Sequence, residues 1–279
     1  GSGVGKSVLM GMMARSTQAD VNVIAMIGER GREVKDFLQD VLGEEGLKKS
    51  IVVAVTNDQS ALVRMRGAYL ATAISEYFSG QGQQVLLIMD SLTRFAMAQR
   101  EIALQSGEPP ANKGYTPSLY PALSKLLERA GSFESGGSIT GLYTVLVEGD
   151  DMDDPVADTV RSIVDGHIVL SRKLAQQGIY PSVDVLQSVS RLMDRVVDSQ
   201  HVTAARNLRR KLSLYRESED LINVGAYKKG TSLEIDEAIA CFAELNRFFR
   251  QQLTDKIPYS ECVNELISIS LRYNSGGKR

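Results

Sequence analysis

Gly1-Ser-Gly-Val-Gly-Lys-Ser7 is the stretch that decides the fold, and it runs directly into the helix-like segment Val8 to Ala14. It contains seven of the eight positions of the phosphate-loop pattern G-x-x-x-x-G-K-[ST]. Glycines let consecutive backbone N–H groups point inward, and the helix N-terminus adds positive potential for an anion. In this pattern the lysine reaches the outer phosphates and the serine hydroxyl binds magnesium. The predicted phosphate-binding residues are Gly1, Ser2, Gly3, Val4, Gly5, Lys6 and Ser7; a chance glycine-rich turn is the alternative.

The length of 279 residues suits one large domain, or a domain with an appendage. The 279 residues include 32 Lys and Arg against 34 Asp and Glu, and this balance argues against wholesale nucleic-acid binding. Cys241 and Cys262 are too few and too far apart for a disulfide framework or a metal site, so we predict buried thiols in a reducing compartment. No apolar run approaches the ~20 residues of a membrane helix. No signal-peptide pattern occurs either, so we expect a cytoplasmic protein.

Strand-like and helix-like segments alternate through the first two thirds of the chain. Continuous apolar runs rich in β-branched residues indicate strands that are covered on both faces. The alternating order predicts a parallel sheet with right-handed crossovers, whose ligands bind at the carboxyl ends of the strands. The predicted strands are Val21 to Gly28, Ile51 to Thr56, Val85 to Met89, Ser138 to Val147 and His167 to Ser171. The predicted helices between them are Glu33 to Leu42, Ser60 to Phe78, Leu123 to Ala130 and Pro155 to Val164.

Two regions depart from this alternation. Gly107 to Pro121 holds four of the seven prolines and is predicted to be an ordered loop. Beyond about Ser199 the pattern changes to helices only, with a last helix from Ser260. We therefore expect an α/β domain over residues 1–198, followed by a small all-α domain over residues 199–279. The apolar stripes that predict its helices are Ala205, Leu208, Leu212 and Tyr215, then Ile239, Phe242, Leu245, Phe249 and Leu253, then Val263, Leu266 and Ile267.

Asp90 follows the buried-strand run Val85 to Met89. A strand that ends in an acid fixes the direction of the carboxylate, and hydrolysis at a phosphate loop needs an acid near the magnesium ion. We therefore predict that Asp90 is the Walker B aspartate. Without the phosphate loop, an ordinary turn aspartate would be an equally good interpretation.

Glu29 lies at another strand end, within Ile27-Gly-Glu-Arg-Gly-Arg-Glu33. A carboxylate at this position could polarise the attacking water, and Arg30 could contact the terminal phosphate. The alternative is a solvated charged loop, which the neighbouring Arg32 and Glu33 favour when the segment is considered alone.

Two further arginines are candidates for neutralising charge in the transition state. Arg94 lies four residues past Asp90, so a short turn would bring it back toward the phosphates, although structural pairing with an acid is the alternative. Arg191 ends the stretch Ser188-Val-Ser-Arg191 and is far along the chain. Such an arginine could be a finger that is supplied to a neighbouring subunit's site.

Other polar clusters have simpler interpretations. The acidic stretch Glu148 to Asp154 lacks the ligand spacing of a calcium loop, so we predict a solvated loop. His167 and His201 share no metal-ligand spacing with other His or Cys residues, and structural roles are expected. The basic run Arg206 to Lys211 is predicted to be a solvated helix face, with a partner-docking surface as the alternative.

With these motifs in place, the chain resembles the ATPases of bacterial type III export systems, which are similar to the catalytic subunit of rotary ATP synthases. The shared motifs, in family order, are the phosphate loop, Ile27 to Glu33, Leu86 to Arg94, Gly136 to Thr140, Asp165 to Ile168, Tyr180-Pro181 and Ser188 to Arg191. The stretches that resemble the flagellar branch more than the virulence-injectisome branch are Met97 to Leu104, Gly107 to Pro110 and Leu221 to Tyr227.

The resemblance implies a RecA-like P-loop ATPase core with a mostly parallel sheet, a small all-α C-terminal domain, and ATP and Mg²⁺ as cofactors. It implies that Glu29 is the catalytic glutamate, that Tyr180 stacks on the adenine, and that Arg191 reaches into the adjacent subunit. The implied catalytic residues are Glu29, Lys6, Arg30, Arg94 and Arg191. The implied metal ligands are Ser7 and, through water, Asp90; the implied nucleotide ligands are Gly1, Ser2, Gly3, Val4, Gly5, Lys6, Ser7 and Tyr180.

The resemblance also implies partners and a location. The family member would be a homohexamer that energises flagellar protein export and flagellum assembly. It would contact a regulatory stator protein, a central stalk protein, the export gate and substrate–chaperone complexes, but no nucleic acid. Its membrane association would be peripheral, at the cytoplasmic face of the inner-membrane export apparatus.

The family has an N-terminal β-barrel and a strand that enters the phosphate loop, and neither is in this sequence. Because the barrel helps to close the ring in the family, we expect these residues alone to assemble poorly and to hydrolyse ATP weakly. Three other functions stay open. They are a virulence-injectisome ATPase, a Rho-type RNA translocase, which the near-neutral charge and the lack of an aromatic-basic motif disfavour, and a non-hydrolysing ring subunit, which would be expected to lack the acid at Glu29.

Overall fold

The structure is a computed structural model that describes residues 3–134, 136–147 and 153–274. Its described residues form two compact units. The first comprises Lys6–Val164, and the second comprises Gly3–Gly5 with the chain from Asp165 onward. The predicted domain boundary after residue 198 stays a prediction. Gly1, Ser2 and residues 148–152 of the predicted acidic loop lie outside the described residues.

A five-stranded, mostly parallel sheet forms the centre of the first unit. Its spatial order is β2-β1-β3-β5-β4, and every neighbouring pair is parallel except the antiparallel pair of β4 and β5. This arrangement confirms the predicted α/β class with a mostly parallel sheet. The strands are β1 Val21–Glu29, β2 Ser50–Thr56, β3 Gln84–Asp90, β4 Gly131–Ser132 and β5 Ser138–Tyr143.

The two central strands are buried on both faces, as their continuous apolar sequences predict. Every residue of β1 from 22 to 29 and of β3 from 85 to 90 is buried. Successive side chains of a strand point to opposite faces of the sheet, so β1 contributes to two separate apolar clusters. The first cluster contains Val23, Ala25 and Ile27, and the second contains Ile24 and Met26.

Side-chain caps define where three helices begin, two of which the sequence predicts; the third, after Ser91, was not predicted. Ser60, Ser91 and Asp154 each accept a hydrogen bond from a backbone N–H of the first helical turn that follows. The helices of the first unit are α1 Lys6–Ser16, α2 Gly31–Asp36, α3 Gly43–Lys48, α4 Ala61–Ser79, α5 Leu92–Gln105, α6 Leu119–Leu127 and α7 Pro155–Ile163. A π-helical turn follows α2 at Phe37–Leu42, and a 3-10 turn lies at Asn112–Gly114.

Three predicted boundaries are wrong. Helix α6 begins at Leu119, inside the predicted loop, because Pro121 falls in its first turn, where a missing N–H removes no helical hydrogen bond. The same helix ends three residues before the predicted Ala130. The predicted long strand stops at Tyr143, the last residue of β5 that pairs with β3. Thr144 then accepts from the N–H of Leu92 at 2.9 Å and leaves the ladder.

The second unit is mainly helical, which confirms the predicted all-α C-terminal region. Its elements are β6 Gly166–His167, α8 Arg172–Gln176, β7 Val189–Ser190, α9 Met193–Val196, α10 Ser199–Asn223, α11 Leu233–Phe249 and α12 Tyr259–Arg272. Its buried apolar cluster is Leu208, Leu212, Cys241, Leu245 and Ile269. Across the described ranges, none of the helices combines the length and the apolar character that a membrane span requires.

Two predictions for this unit are wrong in their extent. Of the strand predicted from His167 to Ser171, only His167 lies in a strand, β6, which pairs with β7 and is not part of the main sheet. Leu170 forms only an isolated bridge with Val183. Helix α11 ends before the predicted stripe residue Leu253, because the N–H of Gln251 bonds to the carbonyl of Tyr180 instead of continuing the helix.

The basic run of α10 is only partly the predicted solvated face. Arg206 and Arg210 are exposed and pair with acids at 2.6 and 2.7 Å. Lys211 is largely buried in an ion pair with Glu237. Its (CH₂)₄ stem can lie along apolar surface while the charge finds a partner, which spacing alone does not reveal.

The two cysteines and two histidines of this unit have structural environments. Both cysteines are free thiols; Cys241 is fully buried and Cys262 is half-buried. Burial raises the pKa of the Cys241 thiol to about 11. The Nε2 atom of His167 lies 3.1 Å from the carbonyl oxygen of Gln187, and the ring of His201 lies beside that of Tyr259.

We predict that Gly67→Ala destabilises the first unit. A Cβ at this position of α4 would lie 2.5 Å from Cγ2 of Val55 and 3.1 Å from Cδ1 of Ile27, so helix and sheet would have to separate. Overpacking of this kind costs about 1–3 kcal/mol, which outweighs the gain in helix propensity. Denaturant unfolding measures the loss. Ala73→Ser, at an exposed position of the same helix, should change the unfolding free energy by less than about 0.5 kcal/mol; equal effects of the two variants would contradict the close packing.

Candidate active site at the carboxyl ends of the central strands

The strand order reverses between β1 and β3, because β2 lies on one side of β1 and β3 lies on the other. Crevices for ligands form at such switch points, outside the carboxyl ends of the strands. Glu29 ends β1 and Asp90 ends β3, and Asp90 pairs with Met26 in the parallel register. The topology therefore brings together the two acids that the sequence placed at strand ends.

Asp90 is 1% exposed and has two polar partners on one oxygen. The Nζ atom of Lys6, the first residue of α1, lies 2.5 Å from Asp90 Oδ1. The hydroxyl of Thr144 donates to the same oxygen at 2.6 Å. Burying a carboxylate is costly unless charged and hydrogen-bonded partners compensate for the lost water. The phosphate-loop lysine and the predicted Walker B acid therefore share one site.

Thr144 is a site residue that the sequence reasoning missed. It follows β5 directly, and its N–H donates to the carbonyl of Met89 at 3.0 Å, so its hydroxyl is held beside Asp90. The available signal was a polar residue after an apolar run whose strand pairs with the Walker B strand. Because the predicted strand was extended to Val147, Thr144 was read as an interior strand residue.

Glu29 is 7% exposed, so the solvated-loop interpretation is wrong for this residue. Its Oε1 atom has no hydrogen-bond partner among the described residues. Burial raises the pKa of Glu29 to about 7, and the nearby negative charge of Asp90 adds to this rise, while Lys6 and Arg94 oppose it. A carboxylate that titrates near neutral pH is suited to general-base catalysis.

Arg94 lies in the first turn of α5 and packs against the backbone of Gly28. The φ of Gly28 is +71°, and a Cβ there would lie 2.9 Å from Cβ of Arg94. The Nε atom of Arg94 is buried without a partner among the described residues, and its Nη1 lies 3.6 Å from Sδ of Met97. The structure therefore places Arg94 beside Glu29 with unused donor capacity.

Arg30 and Ser7 are exposed and are not drawn into this cluster. The Arg30 side chain is 77% exposed, and its Nη1 lies 3.4 Å from Oε1 of Glu33. Ser7 is an exposed residue in the first turn of α1. The roles proposed for these residues concern a ligand and stay predictions.

In the second unit, the loop Gly3–Gly5 is shaped by two glycines in the left-handed region, with φ of +85° at Gly3 and +82° at Gly5. The carbonyl of Val4 accepts a hydrogen bond from the hydroxyl of Ser182 at 2.7 Å. The ring of Tyr180 lies against Gly5, since a Cβ there would be 3.5 Å from Cδ1 of the ring. Tyr180 is 44% exposed, so its ring can still be covered by a ligand.

Arg191, also in the second unit, directly follows β7 and is exposed. Its backbone N–H donates to the carbonyl of Asp165 at 2.8 Å. The backbone is therefore held while the side chain is accessible, which a residue that acts in a neighbouring subunit would require.

A family model described as the ATP synthase alpha/beta family, nucleotide-binding domain, matches residues 1–190. The chain belongs to the ATP synthase alpha/beta family. A second model, described as the T3SS EscN ATPase C-terminal domain, matches residues 197–268. These two matches confirm the resemblance to the type III export ATPases that the sequence motifs carry.

Among similar proteins, this family member is 61% identical to a flagellum-specific ATP synthase of Treponema pallidum over 95% of the chain and 59% of the relative. It is 52% identical to a type 3 secretion system ATPase of Xanthomonas euvesicatoria over 96% of the chain and 60% of the relative. The chain thus spans less than two thirds of the curated relatives that it matches. It also superposes, with a TM-score of 0.90 and 45% identity over 97% of this chain and 64% of the other, on the assembled ATPase EscN in complex with its central stalk EscO from enteropathogenic E. coli.

The described residues fit a magnesium–nucleotide complex as this family would bind it. Mg²⁺ is held by one or two oxygen donors of the protein, by substrate phosphates and by several waters. Asp90 supplies a buried carboxylate and Ser7 an exposed hydroxyl at the start of α1. The unpartnered Oε1 of Glu29 is a further acceptor for a water beside them.

We predict that Glu29 makes the folded protein less stable as the pH rises from about 4.5 to 7. Its folded-state pKa of about 7 lies above its ordinary value of 4.5. Below pH 4.5 the carboxyl is neutral in both states, so its contribution to stability is fully present. Between the two values the unfolded chain loses its proton first, and the free energy of unfolding falls by on the order of 3 kcal/mol.

Thermal unfolding of the nucleotide-free protein across this range measures the effect. Glu29→Gln should reduce the pH slope, whereas Glu45→Gln, at an exposed position of α3, should leave it unchanged. Identical slopes for the wild type and Glu29→Gln would show that Glu29 ionises normally.

Proposed function

We propose that this chain is the ATP-hydrolysing part of a type III protein export ATPase. The observation that carries the proposal is the cluster of Lys6, Asp90 and Glu29 at the carboxyl ends of the central strands. It combines a phosphate-loop lysine, a buried acid that is held by hydrogen bonds, and a second carboxylate with a pKa near 7.

Nucleotide binding is assigned to the loop and its neighbours. The backbone N–H groups of Gly1 to Gly5 and the start of α1 would cradle the phosphates, and Lys6 would contact the outer ones. Ser7 and, through water, Asp90 would hold Mg²⁺, which neutralises charge on the phosphates. Tyr180, whose ring lies against Gly5, would stack on the adenine.

Hydrolysis would proceed by direct attack of a water on the terminal phosphate. Glu29 orients this water and accepts its proton, the new bond forms between the water oxygen and the γ-phosphorus, and the bond from that phosphorus to the β,γ-bridging oxygen breaks. ADP and phosphate are the products. Arg94, Arg30 and, from the adjacent subunit, Arg191 would stabilise the charge of the transferred group.

We assign the chain to flagellar protein export and flagellum assembly. The 61% identity to the flagellum-specific relative exceeds the 52% identity to the type 3 secretion relative, and this difference supports the flagellar branch. A virulence-injectisome ATPase is the second candidate, and the same 52% identity is what favours it. A non-hydrolysing ring subunit is disfavoured by Glu29, whose acid would have no task there.

The proposed assembly is a homohexamer in which each Arg191 completes a neighbouring site. The similar EscN is described as assembled and in complex with its central stalk, which supports a ring with a stalk partner for this protein. A regulatory stator, the export gate and substrate–chaperone complexes would be further partners. The proposed location is the cytoplasm, with peripheral association at the inner-membrane export apparatus.

We predict that Glu29→Gln in the full-length protein lowers kcat by about 10²–10⁴-fold, because it removes the base but keeps the shape of the side chain. The dissociation constant for Mg-ATP should stay within about threefold of wild type. Steady-state phosphate release and calorimetric titration measure the two quantities. Glu45→Gln is the matched control and should retain both. Wild-type turnover by Glu29→Gln would refute the assignment of the base.

A second prediction tests whether Arg191 acts between subunits. Arg191→Ala and Lys6→Ala should each lower turnover roughly a thousandfold. Mixed rings of the two variants contain interfaces that combine an intact Lys6 with an intact Arg191, so mixing should restore part of the activity. Rings of Lys6→Ala mixed with the double variant contain no such interface and should stay inactive. An absence of rescue at every mixing ratio would argue against a finger in trans.

A further inference from the structure

The segment from Tyr180 to Arg191 carries two proposed functional residues, one at each end. Tyr180 lies against the nucleotide loop, and Arg191 is the proposed finger. Between them lie residues 182–188, to which the sequence analysis gave no role. Their contacts within the second unit connect the loop on one side to helix α10 on the other.

Contacts on the loop side are made by the first residues of the segment. Ser182 is 1% exposed, and its hydroxyl donates to the carbonyl of Val4 at 2.7 Å. The ring of Tyr180 lies beside Gly5, and the carbonyl of Tyr180 accepts from the N–H of Gln251 at 3.0 Å. A displacement of residues 180–182 would therefore move the support of the loop carbonyl and the ring at the same time.

The middle of the segment is organised by Asp184, which is 4% exposed. Its Oδ1 atom accepts from the backbone N–H groups of Leu186 at 3.0 Å and Gln187 at 3.3 Å. Its carbonyl accepts from both the N–H and the hydroxyl of Ser188, at 3.0 and 2.7 Å. Asp184 thus stabilises the turn at residues 184–188, which precedes Arg191 in the chain.

Helix α10 holds this turn by two arginines one heptad apart. Nη1 of Arg216 lies 2.9 Å from both carboxylate oxygens of Asp184. Arg209 donates to the carbonyls of Ser188 at 3.1 Å and Leu186 at 2.6 Å. The side chains of Val185 and Leu186 pack on the buried cluster of the helices. These contacts tie the position and orientation of the turn to those of α10.

Apolar packing alone would be enough to attach the turn to α10. Asp184 is buried and Arg216 is about one third exposed. Such an ion pair usually adds little net stability compared with apolar residues of similar volume, because charge must be removed from water. Its specific contribution is geometric, since a carboxylate that binds two backbone N–H groups and an arginine admits only one arrangement of them. Such a fixed geometry would suit this segment, because Tyr180 and Arg191 at its two ends must each be placed accurately to contact a ligand.

We propose that Asp184 and Arg216 are positioning residues for the nucleotide site. Through the turn at residues 184–188, the pair transmits the position of α10 to Tyr180 and Ser182, and so to the loop Gly3–Gly5, and also to Arg191. This inference rests on the proposed function. It adds that this ion pair, which lies outside the proposed ligand contacts, contributes to nucleotide affinity.

Arg216→Met tests the proposal in the full-length protein. Calorimetric titration with Mg-ADP should show a dissociation constant raised about fivefold or more, the lower range of allosteric coupling, at an unchanged number of binding sites. Partial unfolding would instead lower the number of sites and leave the affinity of the remaining ones unchanged. Arg216→Lys, which keeps the charge, should recover most of the affinity.

Arg210→Met is the matched control, because Arg210 lies on the same helix and its ion pair joins Glu234, away from the segment. It should bind Mg-ADP as the wild type does. If Arg216→Met does not fold, Asp184→Asn decides, since it keeps an acceptor oxygen for the turn but loses the charge. Wild-type affinity in the folded variant, or a loss of sites alone, would overturn the inference. A wild-type protein that binds no nucleotide would overturn the proposed function as well.

Discussion

The pairing of Lys6 with Asp90 is the interaction on which the site of this protein depends. It joins the first residue of α1 to the last residue of β3, so it sets where the phosphate loop ends relative to the sheet. A carboxylate that is 1% exposed needs this cation and the hydroxyl of Thr144, since an unpaired buried charge is costly. The lysine ammonium is a compact charge with three donors, so it can serve an acid and a phosphate together.

The parallel sheet imposes the second constraint. Its strands β1 and β3 are neighbours in space although α2, α3, β2 and α4 separate them in the chain. The acids at their carboxyl ends must therefore share one small volume, and the charge of Asp90 raises the cost of ionising Glu29. Asp90 has the closer cation, while Glu29 has the unpartnered oxygen and the pKa near 7. Topology alone thus assigns different chemistry to two similar side chains.

In the second unit, a small number of polar contacts fixes the position of residues 180–191. Ser182 supports the loop, Asp184 sets the turn, and two arginines of α10 hold that turn from outside. Helix α10 therefore contributes directly to the position of a segment that the proposed nucleotide site uses. The packing of the helices around Leu208 and Cys241 gives the arginines a rigid base.

The sequence by itself determined the phosphate loop, the alternation of most strands and helices, the burial of β1 and β3, and the identity of Glu29, Asp90 and Arg94 as candidates. These features are local, because they depend on glycine conformations, apolar periodicity and the residue types at strand ends. The family resemblance added Tyr180, which no local pattern had assigned to the nucleotide, and it gave Arg191, already a candidate finger, its implied place in the adjacent subunit.

Only the tertiary structure decided the features that need partners distant in the chain. Thr144 became a site residue because β5 pairs with β3. Of the strand predicted at 167–171, only His167 lies in β6, while Leu170 forms an isolated bridge with Val183. The burial that shifts the pKa of Glu29, and the distances that join Asp184 to Arg216, arise from contacts across many residues. Periodicity and spacing indicate which face of a strand or helix a side chain lies on. The free-energy cost of burying a charge depends instead on the groups that surround it, and these come from distant parts of the chain.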